Sequence, residues 1–356
     1  MNSDNGDVLD GMQRSRRIIS LLVLTVFYAI AFLDRQILTL MIDPIRKDLG
    51  VSDFDMSLLQ GAVFVIFYAV CGIPIGWAVD RFPRNLIIFV GVAVWSVSTA
   101  MCGLGKAYWQ LLLARCGVGA GEASLLPSVY SMLSDLYPKE RLAGAMAVFS
   151  SGAVIGGAIS FAFGGFLISL ATKSQLGYLP ILGVVKPWQL VFIATGLLGL
   201  ALSSLAILVH EPRRVVVSRV AGGRDDHRSL LQTLASRRPF YACHFIGFGL
   251  FALLALGYMV WLPTYLMRTF HWPVVRVGET LGVMSLVGGL VGTLGGGYVV
   301  DQLVRRGVRD AHFYFALVCV LACGAAGSCT VLARNSDISE IVDLITITVH
   351  RALRGL

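Results

Sequence analysis

Four ionisable residues lie inside apolar stretches, where their types and spacing are suited to proton transfer or anion binding. Asp34 and Arg35 lie deep in the first apolar run, and Arg115 and Glu122 lie in the fourth. An ionised side chain at the centre of a bilayer costs about 2.5–3.5 kcal/mol on insertion scales, so such residues face a cavity or one another. Two acids and two bases form a balanced set that can hold one proton or one anionic group. We expect a functional role; the alternative is a static network that only fixes helix packing.

The spacing within the fourth run supports this expectation. Arg115 and Glu122 are seven residues apart, which is two helical turns, so their side chains project from nearly the same face of a helix. Gly117 and Gly121 lie between them at the spacing that lets a neighbouring helix approach closely.

The composition shows what kind of element must position these residues. The chain has 356 residues, of which 56% are hydrophobic and 14% are charged, whereas a soluble domain carries about 25% charged residues. This excludes a disordered chain and argues against a soluble α/β enzyme. Apolar runs of about 20 residues cross a bilayer as helices. We predict an all-α polytopic membrane protein with about nine transmembrane helices, at 18–42, 56–79, 86–104, 108–134, 143–171, 187–209, 241–266, 278–300 and 311–333.

Loop charges predict the orientation of these helices. The net charge is +8, and the loops on the N-terminal side of the membrane hold seventeen Lys and Arg residues against seven on the opposite side. By the positive-inside rule we expect a cytoplasmic N-terminus, and we expect the protein to lie in the inner membrane. The basic balance does not indicate a nucleic-acid partner. The first run is too long for a cleaved signal peptide and is expected to be an uncleaved span.

Weak internal repetition predicts two related halves. Three positions recur at a constant offset of 221 residues, giving the pairs Gly61 and Gly282, Gly76 and Gly297, and Asp80 and Asp301. The repeat unit is therefore six helices, and parallel repeats of this kind are a known transporter architecture. We predict a cytoplasmic N-terminus, a six-helix bundle, a cytoplasmic linker, a partial three-helix bundle and an amphipathic tail, at 1–17, 18–210, 211–240, 241–333 and 334–356.

The loop after the second run carries a recognisable motif. The segment Gly76-Trp77-Ala78-Val79-Asp80-Arg81-Phe82-Pro83-Arg84-Asn85 resembles the signature between helices two and three of the major facilitator superfamily. Arg115 with its following glycines is similar to that family's fourth-helix motif. The resemblance implies that the loop and its second copy clamp helix ends at the cytoplasmic face, through Gly76, Asp80, Arg81, Arg84, Asp301 and Arg305.

Within that superfamily the chain resembles the spinster-like, lipid-transporting branch. The similarity lies in the segments 32–36, 134–141 and 261–266, and in the Arg115 and Glu122 pair. Sugar-acid transporters also carry an Asp-Arg pair in helix one, so a sugar acid remains the alternative substrate class.

The resemblance implies a secondary transporter that works by alternating access around a mid-membrane site. It assigns Asp34 and Glu122 to proton coupling and Arg35 and Arg115 to charge balance or a substrate anion. An amphiphilic or organic anion, a proton and membrane lipids are the expected partners, and we expect a monomer. Cavity-lining side chains are expected at Tyr258, Trp261 and Tyr265.

The sequence argues against enzymes and leaves one alternative from another class of protein. No zinc-protease, dinucleotide-binding or serine-hydrolase motif is complete, so we expect neither an enzyme nor a metal or cofactor site. The resemblance stops near Arg334, so helices ten to twelve of the family are expected to be missing. A truncated, non-transporting membrane protein is therefore the alternative from another class.

Overall fold

The computed structural model describes residues 3–173, 178–179, 183–212, 232, 235–308 and 310–332. Its helices are α1 Ser3–Leu40, α2 Ile42–Leu49, α3 Asp53–Ser57, α4 Val63–Val79, α5 Arg84–Leu104, α6 Tyr108–Glu122, α7 Leu125–Leu136, α8 Lys139–Lys173, α9 Pro187–Ser203, α10 Arg238–Thr269, α11 Val274–Arg305 and α12 Ala311–Leu332. A π-helical turn, Leu58–Ala62, joins α3 to α4, and a 3₁₀ turn, Ser204–Leu208, extends α9.

The all-helical, polytopic fold predicted from the sequence is confirmed. Each of the nine predicted spans lies on helix, and seven helices in the described part are long and apolar enough to cross a membrane. The fourth predicted span is divided into α6 and α7, and α12 has a short apolar stretch at Phe313–Ala325. The count of nine spans therefore stays a prediction.

Several boundaries differ from the predicted ones. Helix α1 begins at Ser3, so the predicted N-terminal segment 1–17 is largely helical. A two-stranded antiparallel hairpin, β1 Tyr178–Leu179 with β2 Gly183–Val184, lies between α8 and α9 and was not predicted. The predicted tail 334–356 and most of the predicted linker lie outside the described residues.

Glycines bring the helix backbones close together. At Gly119 of α6, a Cβ atom would lie 2.6 Å from the carbonyl oxygen of Phe64 on α4. At Gly121 it would lie 2.7 Å from the backbone nitrogen of Trp95 on α5, so the predicted close approach at this glycine is confirmed. Gly156 of α8 meets the backbone of Ala29 on α1 in the same way. These contacts fix α1, α4, α5 and α6 around the buried charges.

The helices have two ends, here called the Asp43 end and the Arg84 end after residues located there. At the Asp43 end, apolar side chains of α10 and α11 pack into one buried cluster with the end of α1 and with α2, including Ile37, Met41, Leu262 and Leu281. Toward the Arg84 end, residues 242–250 of α10 are exposed. The two halves of the chain therefore pack together at the Asp43 end, and the first turns of α10 lie apart from that cluster.

Candidate functional site

The four predicted residues form one group inside the helices, called here the buried charge set: Asp34, Arg35, Arg115 and Glu122. Asp34 on α1 is fully buried. Its Oδ2 atom accepts a hydrogen bond of 3.2 Å from the Thr99 hydroxyl on α5. Its Oδ1 atom is buried and makes no hydrogen bond with the described residues. One carboxylate oxygen of Asp34 can thus bind a proton or accept a hydrogen bond.

Glu122 pairs with Arg35, which lies on a different helix. The Arg35 Nε atom donates to Glu122 Oε2 at 2.6 Å, and Nη2 forms an ion pair with the same oxygen. Glu122 is 1% exposed, whereas Arg35 is 31% exposed. The Arg35 guanidinium also lies 4.8 Å from the ring centroid of Phe64 and 5.6 Å from that of Tyr68. These cation–π contacts hold Arg35 at the boundary between the buried acid and open space.

Arg115 is placed differently from what its spacing to Glu122 suggests. It is 3% exposed, and its Nε and Nη1 atoms make no hydrogen bond with the described residues. Its charge acts on both Asp34 and Glu122. The close pair within the set is therefore Arg35 with Glu122, which joins α1 to the last residue of α6. Arg115 keeps two N–H donors with no partner in the described chain.

These unused atoms define what the set can do. Asp34 Oδ1 and Glu122 Oε1 are acceptors for a proton, and Arg115 Nε and Nη1 are donors for an oxyanion. Most buried polar side-chain atoms in native proteins have a hydrogen-bond partner, so several free atoms in one place point to a ligand or to water. Thr99 was not foreseen, since a hydroxyl in an apolar helix commonly bonds its own backbone.

The loop motif positions Arg84 as the centre of a second ionic group. Arg84 is 1% exposed; its Nε donates to Glu211 Oε1 at 2.8 Å and its Nη1 to Asp135 Oδ2 at 2.6 Å. Nη2 donates to the carbonyl oxygen of Pro212 at 3.1 Å, and Glu211 Oε2 accepts the backbone N–H of Asn85 at 3.0 Å. Arg84 therefore ties the start of α5 to the end of α7 and to the segment that follows α9.

The other loop residues make lighter contacts. Arg81 is exposed; its Nη1 donates to the carbonyl oxygen of Trp77 at 3.1 Å and its guanidinium lies 4.0 Å from the Trp77 ring centroid. Asp80 is exposed at the end of α4. No atom of the described residues lies within 4 Å of the position that a Cβ would take at Gly76, so this glycine makes no close helix contact there.

The predicted second copy of the motif lies at the end of α11. Arg305 is exposed there. The side chain of Asp301 lies outside the part of the structure that is described. The clamping role of this second copy stays a prediction.

The three predicted cavity residues are half-buried on α10. Tyr258, Trp261 and Tyr265 pack against the apolar cluster of the Asp43 end, and the Tyr265 ring contacts Phe270 edge-to-face at 5.8 Å. Trp261 lies 6.0 Å below the guanidinium of Arg268. These aromatic residues therefore pack with the apolar cluster at the Asp43 end, and their role as cavity lining stays a prediction.

An ion-pair network that was not predicted joins the two halves at the same end. Arg268 Nη2 donates to Asp43 Oδ1 at 2.6 Å and to Asp53 Oδ1 at 2.8 Å, and its Nη1 donates to Asp53 Oδ2 at 2.9 Å. Arg46 lies 3.5 Å from Asp53. These charges flank spans and were counted only for orientation, although an acid and a base at the same membrane face are a signal for such pairs.

Comparison with known proteins identifies the family. Residues 24–343 match the model described as Major Facilitator Superfamily. The D-galactonate transporter of Escherichia coli is 26% identical over 341 residues, which cover 90% of this chain and 74% of that relative. Protein spinster of Drosophila melanogaster is 25% identical over 295 residues, covering 80% of this chain and 46% of that protein.

A solved structure gives the same result. The crystal structure of a bacterial homolog of the human lysosomal transporter Spinster, in an inward-facing and unoccupied conformation, superposes with a TM-score of 0.77 at 27% identity. The match covers 96% of this chain and 74% of that one. The predicted fold and the predicted resemblance to the spinster-like branch are confirmed.

Proposed function

Because this chain belongs to the Major Facilitator Superfamily, we propose that it couples protons to the transport of an amphiphilic or organic anion by alternating access. Several of its relatives are named as transporters of small molecules, which supports a small-molecule substrate in general. The observation that carries the finer proposal is the buried charge set, where two acids and two bases share one largely buried site and keep unused hydrogen-bonding atoms.

The charge balance of the set suggests how a proton and an anion are coupled. With Asp34 and Glu122 ionised and both arginines charged, the set is neutral. A proton on Glu122 removes the attraction that holds Arg35 and leaves the set with one net positive charge. A bound monoanion restores neutrality, which matters because an unbalanced charge in a low-dielectric site is costly. This balance favours proton and anion moving together.

The geometry of the ends supports one state of the transport cycle. The Asp43 end is closed by apolar packing and by the Arg268 network, while residues 242–250 of α10 are exposed toward the Arg84 end. With the N-terminus cytoplasmic, as the loop charges predict, the Arg84 end faces the cytoplasm. We therefore assign the structure to an inward-open state of an inner-membrane protein.

Thiol labelling of intact cells tests that orientation. In a background without native cysteines, Phe54→Cys at the Asp43 end is expected to react with an impermeant reagent from outside, because Phe54 is 69% exposed. Gly223→Cys in the predicted linker is expected to react only after the cells are opened. Labelling of Gly223→Cys in intact cells would overturn the topology.

Two substrate classes are to be compared. The branch resemblance favours an amphiphilic anion of the lysolipid type, and the galactonate transporter favours a sugar acid. Both classes carry the negative charge that Arg115 and Arg35 are placed to bind.

Uptake by proteoliposomes tests the coupling. The chain is reconstituted and given a lysolipid or a sugar acid with and without an inward proton gradient. Glu122→Gln and Asp34→Asn are expected to keep the fold and to lose stimulation by the gradient. The exposed acid Glu279 provides a matched control, since Glu279→Gln changes a carboxylate outside the set. If both variants of the set keep the wild-type pH dependence, these acids are structural and the coupling site is misassigned.

A further inference from the structure

A further polar side chain with buried, unused hydrogen-bonding atoms lies on the segment between α3 and α4. Gln60 is in the π-helical turn Leu58–Ala62, where the N–H of Val63 bonds the carbonyl oxygen of Leu58. Both amide atoms of Gln60, Nε2 and Oε1, are buried and make no hydrogen bond with the described residues. A buried polar group without a partner is costly, because it has given up its hydrogen bonds to water, so the protein keeps this amide at a penalty.

Helix packing places Gln60 at the depth of Arg115. Helices α4 and α6 both run from the Asp43 end toward the Arg84 end and touch where Gly119 meets Phe64. One helical turn back toward the Asp43 end from this contact are Gln60 on one side and Arg115 on the other. The π-helical turn itself also contacts α6. The amide and the guanidinium, each with unused atoms, therefore lie on neighbouring segments at one level.

The segment that carries Gln60 leads into α4, which reaches the rest of the set. Gln60 comes four residues before Phe64, in the π-helical turn, and Phe64 and Tyr68 lie one turn apart on α4. Phe64 and Tyr68 both contact the Arg35 guanidinium. A wide turn of the π type is frequently found at functional sites, because it changes the direction of a side chain without ending the helix.

The chemistry of an amide specifies what this position binds. Its Nε2 group donates to an oxyanion, as Arg115 does, while its Oε1 atom accepts a hydrogen bond that an anion cannot give. A ligand that satisfies both atoms carries an oxyanion and a hydroxyl group close to it. A sugar acid and a lysophospholipid share this chemistry, whereas a simple fatty acid or an alkyl phosphate lacks the hydroxyl.

We propose that Gln60 is a specificity residue, which together with Arg115 selects anions with an adjacent hydroxyl group. This rests on the proposed function, since it places substrate at the buried charge set. Arg115 supplies charge, and Gln60 discriminates, because a site built to bond a hydroxyl rejects the analogue that lacks it.

Paired ligands test the proposal. The dissociation constants of gluconate and hexanoate, and of lysophosphatidic acid and dodecyl phosphate, are measured on the full chain in nanodiscs. Wild-type protein is expected to prefer the hydroxylated member of one pair, and the pair that responds identifies the source of the anion. Gln60→Met is expected to reduce that preference about fivefold to tenfold, in line with the loss of one hydrogen bond.

Two further variants separate the effect of charge from that of hydrogen bonding and provide a control. Gln60→Glu retains an acceptor and adds a negative charge, so both members of the pair bind more weakly while the preference remains. Gln302→Met removes an amide on α11 that bonds Tyr298 at 3.1 Å, and it is expected to change nothing. Thermal unfolding of each variant checks that the fold is kept.

The outcomes separate this inference from the proposed function. If wild-type protein binds neither pair at any pH, the proposed function fails and this inference fails with it. If wild-type protein binds an anion and loses pH dependence on Glu122→Gln, yet Gln60→Met keeps the wild-type preference, only the specificity role is overturned. That role is also overturned if wild-type protein shows no preference within either pair, since the amide then binds water alone.

Discussion

The pairing inside the buried charge set can be measured by two double-mutant cycles that share Glu122→Gln. The first combines it with Arg35→Met and the second with Arg115→Met. Each variant loses some free energy of unfolding. In each cycle the coupling energy is the difference between the loss in the double variant and the sum of the losses in the two single variants. Methionine keeps the unbranched stem of each arginine without its guanidinium, and glutamine keeps the shape of the acid.

The structure predicts that the two cycles differ. Arg35 Nε donates a hydrogen bond to Glu122 Oε2 and Nη2 forms an ion pair with the same oxygen; a hydrogen bond to a charged group is worth about 1.5–3 kcal/mol. Because Arg35 is 31% exposed, water screens part of this interaction. We expect a coupling energy of about 2 kcal/mol for Arg35 with Glu122. For Arg115, whose Nε and Nη1 atoms make no hydrogen bond with the described residues, we expect less than about 1 kcal/mol.

Unfolding by sodium dodecyl sulfate in mixed micelles, followed by tryptophan fluorescence, supplies the free energies. Refolding on dilution of the detergent checks that each transition is reversible. A coupling energy for Arg115 equal to or larger than that for Arg35 would refute the assignment of the close pair. It would also remove the reason to treat Arg115 as a donor that is free for substrate.

Two other predictions concern helix contacts. Arg268→Ala removes the ion pairs at the Asp43 end, which are worth about 1 kcal/mol at a partly exposed site. In that variant, labelling of Leu266→Cys by an impermeant thiol reagent is expected to rise about fivefold, whereas the exposed Lys47→Ala control is expected to leave it unchanged. Unchanged labelling with Arg268→Ala would mean that apolar packing alone closes this end. Gly156→Leu forces a side chain into the α1 backbone and is expected to abolish the folded protein on size-exclusion chromatography, whereas Gly144→Leu on the same helix, with no atom within 4 Å, is expected to be tolerated.

The helices and the buried charges could be predicted from the sequence because both follow from the free energy of transferring side chains from water into an apolar environment. A long apolar run has no stable place except a bilayer or a core, and a charge such as Asp34 within that run needs a partner. The type and depth of the site residues therefore follow from where the charges fall within the apolar runs. Residues 24–343 then matched the expected family.

The partners of those charges could not be predicted in the same way. Spacing along one helix suggests Arg115 as the neighbour of Glu122, but in three dimensions Arg35 of α1 makes the hydrogen bond to Glu122 instead. Glu211 follows a span and looks like an ordinary loop acid, and only the fold shows that it meets Arg84. The π-helical turn at Gln60 leaves no mark in the hydrophobic pattern, since it adds a single residue to an apolar helix.

The bonds of Arg84 to Glu211 and Pro212 have a practical consequence for dissecting the protein. A fragment that stops at the last helical residue, Leu208, removes an acid and a carbonyl oxygen from a guanidinium that is 1% exposed. Such a fragment is left with a desolvated cation that only α7 can satisfy. A self-standing N-terminal piece must therefore extend through Pro212, and a swap of linkers between relatives must be joined after that residue.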